Sequence, residues 1–472
     1  MTAPSLHPEP LSASCQPRGR MAFGLTPRAM ILVAAGLLLA LPGFFHAQWA
    51  LGMVAWGVLA VAAIVLDSLR LPLPEQITVE RSWSNAPALG SETEIFLALQ
   101  QTGKTILECR LVDDLPEALV AVPSTLLLRA YPHVRSEVRY KFQPRERGDV
   151  QAGECFVRYR SGLGLIEFWA RAAIQQPVRI YPALRQGEDQ QIYLARGRQI
   201  ELQLRQVRQR GLGRDFESLR EYREGDDLRD VCWTATARRG QLITRQYQTE
   251  RSQAVWIVID AGRLMRGRVE PQAHASDHPT QDKIAHSKLD HACSTAIALA
   301  QLALFSGDRA GLLVYGQGIQ QRVLPGRGNA HLRQIAEALA QARAETSEAD
   351  HLRATATLNR LQPRRSLILW VTDLAETAMR PEVVDGALQL LHRHVLLFVA
   401  MAQPDVEAIA RNRPNNVEEM FRASAAQELT GRREVLLARL REQGALTLDL
   451  HPEKLTAAVL NQYLMVKEKA MV

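Results

Sequence analysis

Cysteine is scarce and scattered. The five cysteines, Cys15, Cys109, Cys155, Cys232 and Cys293, are odd in number and far apart, with no CxxC pair among them. That spacing supports neither a disulfide framework nor a zinc site, so buried thiols in a reducing compartment are expected. A one-sided basic stripe is also missing. The net charge is +7, but Arg214, Arg220, Arg223 and Arg229 are interleaved with Asp215, Glu217, Glu221, Glu224, Asp226, Asp227 and Asp230. A surface that tracks phosphates is basic on one face, so no nucleic-acid partner is expected. A GxSxG elbow and a phosphate loop are absent, and Gly211-Leu212-Gly213 is too far from a strand end for a dinucleotide fingerprint. His274, His278, His286 and His291 accompany Asp277, Asp282 and Asp290 in a polar insertion with no HxxxH pair flanked by a glutamate. Such a stretch reads as a solvated loop. Catalysis therefore has no residues to support it, and no cofactor is expected.

What is present divides the chain. At roughly 150 residues per domain, 472 residues suggest about three units, each able to bury a core. Hydrophobic content of 47% with 23% charged residues is ordinary for a globular protein. Two uncharged apolar runs, Ala29 to Phe45 and Trp49 to Leu66, each approach the roughly 17 to 25 residues needed to span a bilayer. The expectation is a transmembrane hairpin over residues 29–70 after a cytoplasmic tail of residues 1–28. Arg18, Arg20 and Arg28 precede it, Arg70 and Arg81 follow it, and the connection around His46 lacks Lys and Arg. The positive-inside rule then places both ends and the soluble domains in the cytoplasm, on a plasma (inner) membrane. A cleaved signal peptide is the competing reading of the first run, but FHAQWA is a poor cleavage site and a second run follows at once.

Residues 71–185 carry short segments of partial alternation, such as TEIFLALQ, ILECRLV, SEVRYKF and ECFVRYR, separated by Pro and Gly. This pattern predicts a β-sandwich-like domain. Residues 186–253 read as a linker and a charged segment. From residue 254 the period changes: AVWIVID, AGLLVYG, SLILWVTD, HVLLFVAMA and TLDLHP alternate with helical stretches around Lys288 to Phe305, Ala330 to Arg343 and Val383 to Leu391, a long helix to about Arg441 and a final helix. Apolar strands alternating with helices predict a doubly wound α/β domain over 254–472. Ligands in such sheets sit beyond the carboxyl ends of the strands at the switch in strand order, where Asp260 and Asp373 fall.

The segment REYREGDDLRDVCW, residues 220 to 233, admits two readings. Gly225-Asp226-Asp227 is turn chemistry, and the charges form either a solvated loop with internal pairs, such as Arg220 or Arg229 with Asp226, or a polar docking edge. Arg220, Tyr222, Gly225, Asp226, Asp227, Arg229 and Trp233 are the partner-binding candidates, with Trp233 expected to be the buried anchor.

At this point a family likeness becomes specific. GLGRDFESLREYREGDDLRDVCWTATARRGQLITRQYQTE followed by VWIVIDAGRLM resembles the signature of the domain-of-unknown-function 58 family. RERGDV, SGLGLIEFW, VRIYP, SGDRAGLLVYG and LPGRGNAHLRQIAEAL resemble its other recurrent pieces, so the likeness extends over nearly the whole chain. It implies a von Willebrand factor A-like domain and a partner among MoxR-type AAA+ ATPases. The von Willebrand A pattern holds a divalent metal through Asp-x-Ser-x-Ser, a Thr and a further Asp. Here the first motif reads Asp260, Ala261, Gly262, Arg263, Leu264, and the loop that could supply the threonine reads Gly326, Arg327, Gly328, Asn329. Thr372 and Asp373 survive. With both hydroxyls gone and Arg263 expected to neutralise them, Asp260 and Asp373 make a poor cage for Mg²⁺ or Ca²⁺; the preferred reading is that they accept hydrogen bonds from loop amides. Two function classes follow: a membrane-anchored, non-enzymatic adaptor that binds a protein partner such as an AAA+ ATPase, and, as the alternative, a metal-dependent enzyme or adhesion-type receptor using the Asp260 and Asp373 rim.

Overall fold

A computed structural model describes residues 8–19, 22–38, 47–116, 119–122, 125–183, 193, 195–196, 199, 215–223, 228, 231–248, 253–269, 285–374 and 382–469. The chain divides into two compact units, Met1–Ala183 and Leu184–Val472.

In the first unit the strands are β1 (Leu11–Pro17), β2 (Phe23–Leu25), β3 (Ile77–Trp83), β4 (Thr93–Gln101), β5 (Leu107–Asp113), β6 (Leu119–Val122), β7 (Leu126–Ala130), β8 (Ser136–Pro144), β9 (Gly148–Ala152), β10 (Cys155–Ser161), β11 (Ile166–Ala172) and β12 (Gln176–Ile180). Their period-2 alternation buries one face, and Ile77, Val79, Ile95, Leu97, Leu99, Leu107, Leu111 and Tyr159 share one core. The order β6-β8-β4-β3-β1-β11-β10-β5-β7, with β2 paired to β11, is a continuous near-barrel sheet among the described residues, rather than the two packed sheets of the expected sandwich. The reason is β1. Leu11 to Ser14 pair with β3 and Cys15 to Pro17 with β11, so this strand joins what would otherwise be two separate sheets. Its sequence, LSASCQP, is polar and short, and sequence reading assigned it to a tail. Arg81, read as a charge flanking the membrane, is instead fully buried on β3. It pairs with Asp113 and donates to the Gly153 and Ile174 carbonyls at 3.0 and 2.9 Å, so it adds nothing to membrane orientation.

Between β2 and β3 lie α1 (Pro27–Leu37) and α2 (Ala47–Arg70). Among the described residues α2 is the one helix long and apolar enough to cross a membrane; α1 is shorter. Trp56 Nε1 donates to the Leu32 carbonyl at 3.0 Å, tying the two together. Both are rooted in the SGLGL loop after β10. Asp67, fully buried on α2, accepts from Ser161 Oγ at 2.5 Å and from the amides of Leu165 and Ile166 at 2.9 and 3.4 Å. Thr26, the cap of α1, donates to the Gly164 carbonyl at 2.5 Å.

The second unit holds β13 (Asp215–Glu221), α3 (Trp233–Arg239), β14 (Ile243–Gln248), β15 (Ala254–Asp260), the short pair β16 (Arg268–Val269) and β17 (His286–Ser287), α4 (Lys288–Phe305), β18 (Arg309–Tyr315), β19 (Ile319–Gly326), α5 (Asn329–Gln341), α6 (His351–Leu361), β20 (Leu367–Thr372), α7 (Glu382–Leu391), β21 (Val395–Met401), α8 (Pro404–Arg411), α9 (Val417–Glu442), β22 (Leu446–Leu450) and α10 (Leu455–Glu468). Its main sheet runs β19-β18-β15-β20-β21-β22, parallel except for β19. One face packs Trp256, Val258, Ile368, Trp370, Leu396 and Phe398 against α6, α7 and α9; α4 covers β15 and β18, with α10 against it. The expected long helix before Arg441 is two helices. The break falls at Pro414, after which Asn416 caps α9 by accepting from the Glu419 amide at 2.7 Å.

Candidate functional site

The chain leaves β15 for β18 on one side of the sheet and later returns to β20 on the other, so the order reverses between β15 and β20. Asp260 ends one of these strands and Asp373 follows the other. The Asp260 side chain accepts from the Gly262 amide at 2.7 Å and from Thr372 Oγ1 at 2.6 Å. Burial pushes its carboxyl up to about 6 against the two hydrogen bonds, and the nearby charges of Asp373 and Glu345 push the same way. Asp373, fully buried, accepts from Lys288 Nζ at 2.5 Å and from Gln403 Nε2 at 3.2 and 3.1 Å. Arg433 Nη1 lies 3.7 Å from it, while Nη2 of the same guanidinium donates to Asp449 at 2.6 Å. Below the rim, Trp370 Nε1 donates to Tyr315 Oη at 2.7 Å, which leaves the Tyr315 hydroxyl to donate to His351 Nδ1 at 2.9 Å. Burial pushes the His351 imidazole down to about 4, so it accepts as the neutral form.

A divalent cation does not fit this donor set. Hard cations need several oxygen ligands on one rim, but the Lys288 ammonium sits against Asp373, and Thr372 spends its hydroxyl proton on Asp260. The hydroxyl missing at position 262 has a steric reason as well. A Cβ on Gly262 would fall 2.9 Å from the backbone nitrogen of Ala349, so this loop conformation excludes a serine there. Among the described residues no group of three His, Cys, Asp or Glu side chains could hold a metal. Arg263 is not the neutralising charge: its guanidinium faces outward, 3.9 Å from Glu348. That role belongs to Lys288, which sequence reading missed because the polar insertion hides its distance from β15. The only signal was general: a buried carboxylate demands a buried base.

The signature folds as strand, helix and strand. β13 pairs with β14 in an antiparallel hairpin interrupted by α3. Gly240 ends that helix at φ 68°, a left-handed cap for which glycine is suited. Val231 and Cys232 are buried, with the Cys232 amide donating to the Ile243 carbonyl at 2.8 Å. Trp233 is 65% exposed and does not serve as the buried anchor. The backbone turns at Cys232 to begin α3, which carries the indole outward. Arg220 Nη1 donates to the Glu221 carbonyl at 3.2 Å and the Tyr222 amide to the Leu242 carbonyl at 2.9 Å. Gly225, Asp226, Asp227 and Arg229 lie outside the described residues, as do His274 and His278 of the polar insertion. All five cysteines are buried thiols.

Among solved structures, the chain is similar to the ASH/PapD-like domain of human CEP192 (21% identity over 20% of this chain and 76% of that one, TM-score 0.16). It is also similar to the conserved hypothetical protein BatB from Bacteroides thetaiotaomicron (13% identity, 46% and 100% covered, TM-score 0.29). A third similarity is to an uncharacterized membrane spanning protein from Vibrio fischeri (13% identity, 45% and 96% covered, TM-score 0.17). No curated protein matches the chain. The family likeness read from the sequence across nearly the whole chain is found over a shorter span: residues 218–412, from the signature hairpin through both rim carboxylates, match the family described as Protein of unknown function DUF58.

Proposed function

We propose that the chain is a membrane-anchored, non-enzymatic adaptor with a von Willebrand A-like C-terminal unit, which binds a cytosolic partner, an AAA+ ATPase of the MoxR type, through its signature hairpin. The observation that carries this reading is apolar surface left outside a strongly charged segment. Trp233 is 65% exposed, Leu228 64%, Leu242 43% and Leu219 41%, beside Arg220, Arg223, Arg238 and Arg239. Tryptophan and arginine dominate the energetics of protein interfaces. The Lys288 ammonium at the rim speaks against the alternative of a metal-dependent enzyme or receptor.

Anchoring rests on chain parity. β1 and β3 are direct antiparallel neighbours, so the chain between them must leave and return on the same side. The 24 residues of α2 are about 36 Å long, enough for one crossing of a hydrocarbon core of about 30 Å. A second crossing by the apolar run Ala29 to Phe45 would satisfy that parity. Arg28 and Arg70 flank the pair at its common root, which supports a cytoplasmic root by the positive-inside rule. Trp233→Ala tests the docking: the variant should melt within error of the parent and lose capture of a purified MoxR-type ATPase in a pull-down. Unchanged capture would remove the hairpin as the docking edge.

A further inference from the structure

We infer that Arg110 and Arg158 form a binding site for the phosphate group of an anionic phospholipid, beside the roots of the two helices; this rests on the membrane-anchored reading above. The outer face of β7, β5, β10 and β11 carries two rows of side chains in register. In the first row Arg129, Glu108, Arg160 and Glu167 lie side by side, with alternating sign. Arg160 donates to Glu108 from Nε at 3.0 Å and Nη2 at 2.8 Å, and Glu167 accepts from Trp169 Nε1 at 2.8 Å. Glu108 is therefore spent within this row, and Glu167 on the indole of the next.

The second row is different. Arg110 stands directly opposite Arg158, with Leu127 on one flank and Trp169 on the other. Both arginines are exposed, and neither makes an ion pair with a carboxylate among the described residues. The Arg158 guanidinium lies 5.6 Å from the centre of the Trp169 ring, which holds it in place. Like charges directly opposite on a sheet destabilise it unless something of opposite sign lies between them. In the row beyond, Arg171 already has Glu154 at 3.6 Å. Arg110, Arg129, Arg158 and Arg160, with the carboxylates Glu108 and Glu167, line one pocket on this face. Two exposed guanidinium groups lining it suit the oxygens of a phosphate.

The position of the pocket selects the source. Ser161, which holds Asp67 at the foot of α2, is three residues from Arg158, about 10 Å along the strand. Exposed apolar side chains surround the helix roots: Phe23, Leu25, Leu73, Ile106 and Leu163 are 51, 48, 62, 48 and 55% exposed. An apolar rim with the arginine pair about 10 Å above it, beyond the row that holds Glu108 and Glu167, matches the depth profile of a bilayer interface.

The test uses the full chain purified in a nonionic detergent, with phosphatidylglycerol and phosphatidylcholine added in equal amounts and retained lipid counted by native mass spectrometry. The parent should retain phosphatidylglycerol preferentially. Arg110→Ala/Arg158→Ala should lower that retention about 30-fold and keep the melting temperature, while the double lysine variant, with the charge but not the fork, keeps only part of the preference. Equal retention by parent and double alanine variant overturns the site. Stabilisation by inorganic phosphate without lipid retention overturns the lipid source. Alkaline carbonate washing of membranes separates the two readings: release of the parent protein would overturn anchoring, whereas retention of parent and variant alike leaves anchoring standing whatever the lipid result.

Discussion

Lys288 carries the rim of the C-terminal unit, and replacing it tests that assignment. The ammonium lies 2.5 Å from Asp373, with side chains 9% and 0% exposed. Removing one partner of a buried ion pair costs about 3 to 5 kcal/mol, because the other charge is left uncompensated. Gln403 and Arg433 still contact Asp373, so Lys288→Met should fall at the lower end, about 3 kcal/mol. For a unit of this size that lowers the melting midpoint by about 5 °C. Adding Asp373→Asn removes the orphaned charge and should recover most of the loss. Thermal melts by circular dichroism of the parent, single and double variants read both effects. Elemental analysis of the purified parent should find no stoichiometric divalent metal, and millimolar Mg²⁺ should leave its midpoint unmoved. A Lys288→Met protein that melts like its parent, or a double variant no better than the single, would refute the reasoning.

Asp260 offers a pH test. Its pKa rises from 3.8 to about 6 on folding, so its contribution is fully present below pH 4 and is lost as pH rises through 6, amounting to about 3 kcal/mol. Asp260→Asn should be more stable than the parent at pH 8, with the gap closing at pH 4 in chemical denaturation. The parent alone shows less, because His351 and His394, pushed down to about 4 by burial, lose stability as pH falls through the same window. Gly262→Ser, made to restore a metal hydroxyl, should lower the melting temperature without creating Mg²⁺ binding, since its side chain meets the Ala349 backbone; Mg²⁺-dependent stabilisation would contradict that. Asp67→Ala removes three hydrogen bonds at the helix root and should destabilise the N-terminal unit by about 2 to 3 kcal/mol, visible as faster limited proteolysis near residues 161–166. A reporter fused after Val472 should be active only in the cytoplasm, and periplasmic activity would overturn the topology.

The α/β pattern after residue 254 was legible in sequence because each β15, β18, β20 and β21 strand is a continuous apolar run, the mark of a parallel sheet covered on both faces. The β period of residues 71–185 was equally plain, since one face of each strand is buried. Asp260 and Asp373 could be paired from strand ends alone. What local pattern could not carry was anything set by pairing at a distance. β1 is too polar to register as a strand, yet it joins the two halves of the sheet, because strand identity there depends on the open edges of β3 and β11. Trp233 looked like an anchor by its chemistry, but the turn at Cys232 carried it outward. Arg81 looked like a membrane flank until Asp113 supplied its counter-charge inside the core. Lys288 was unreadable for the same reason: sequence reports which residues carry charge, whereas only the tertiary fold decides which opposite charges are buried within a few ångströms of one another, where low dielectric makes the pairing decisive.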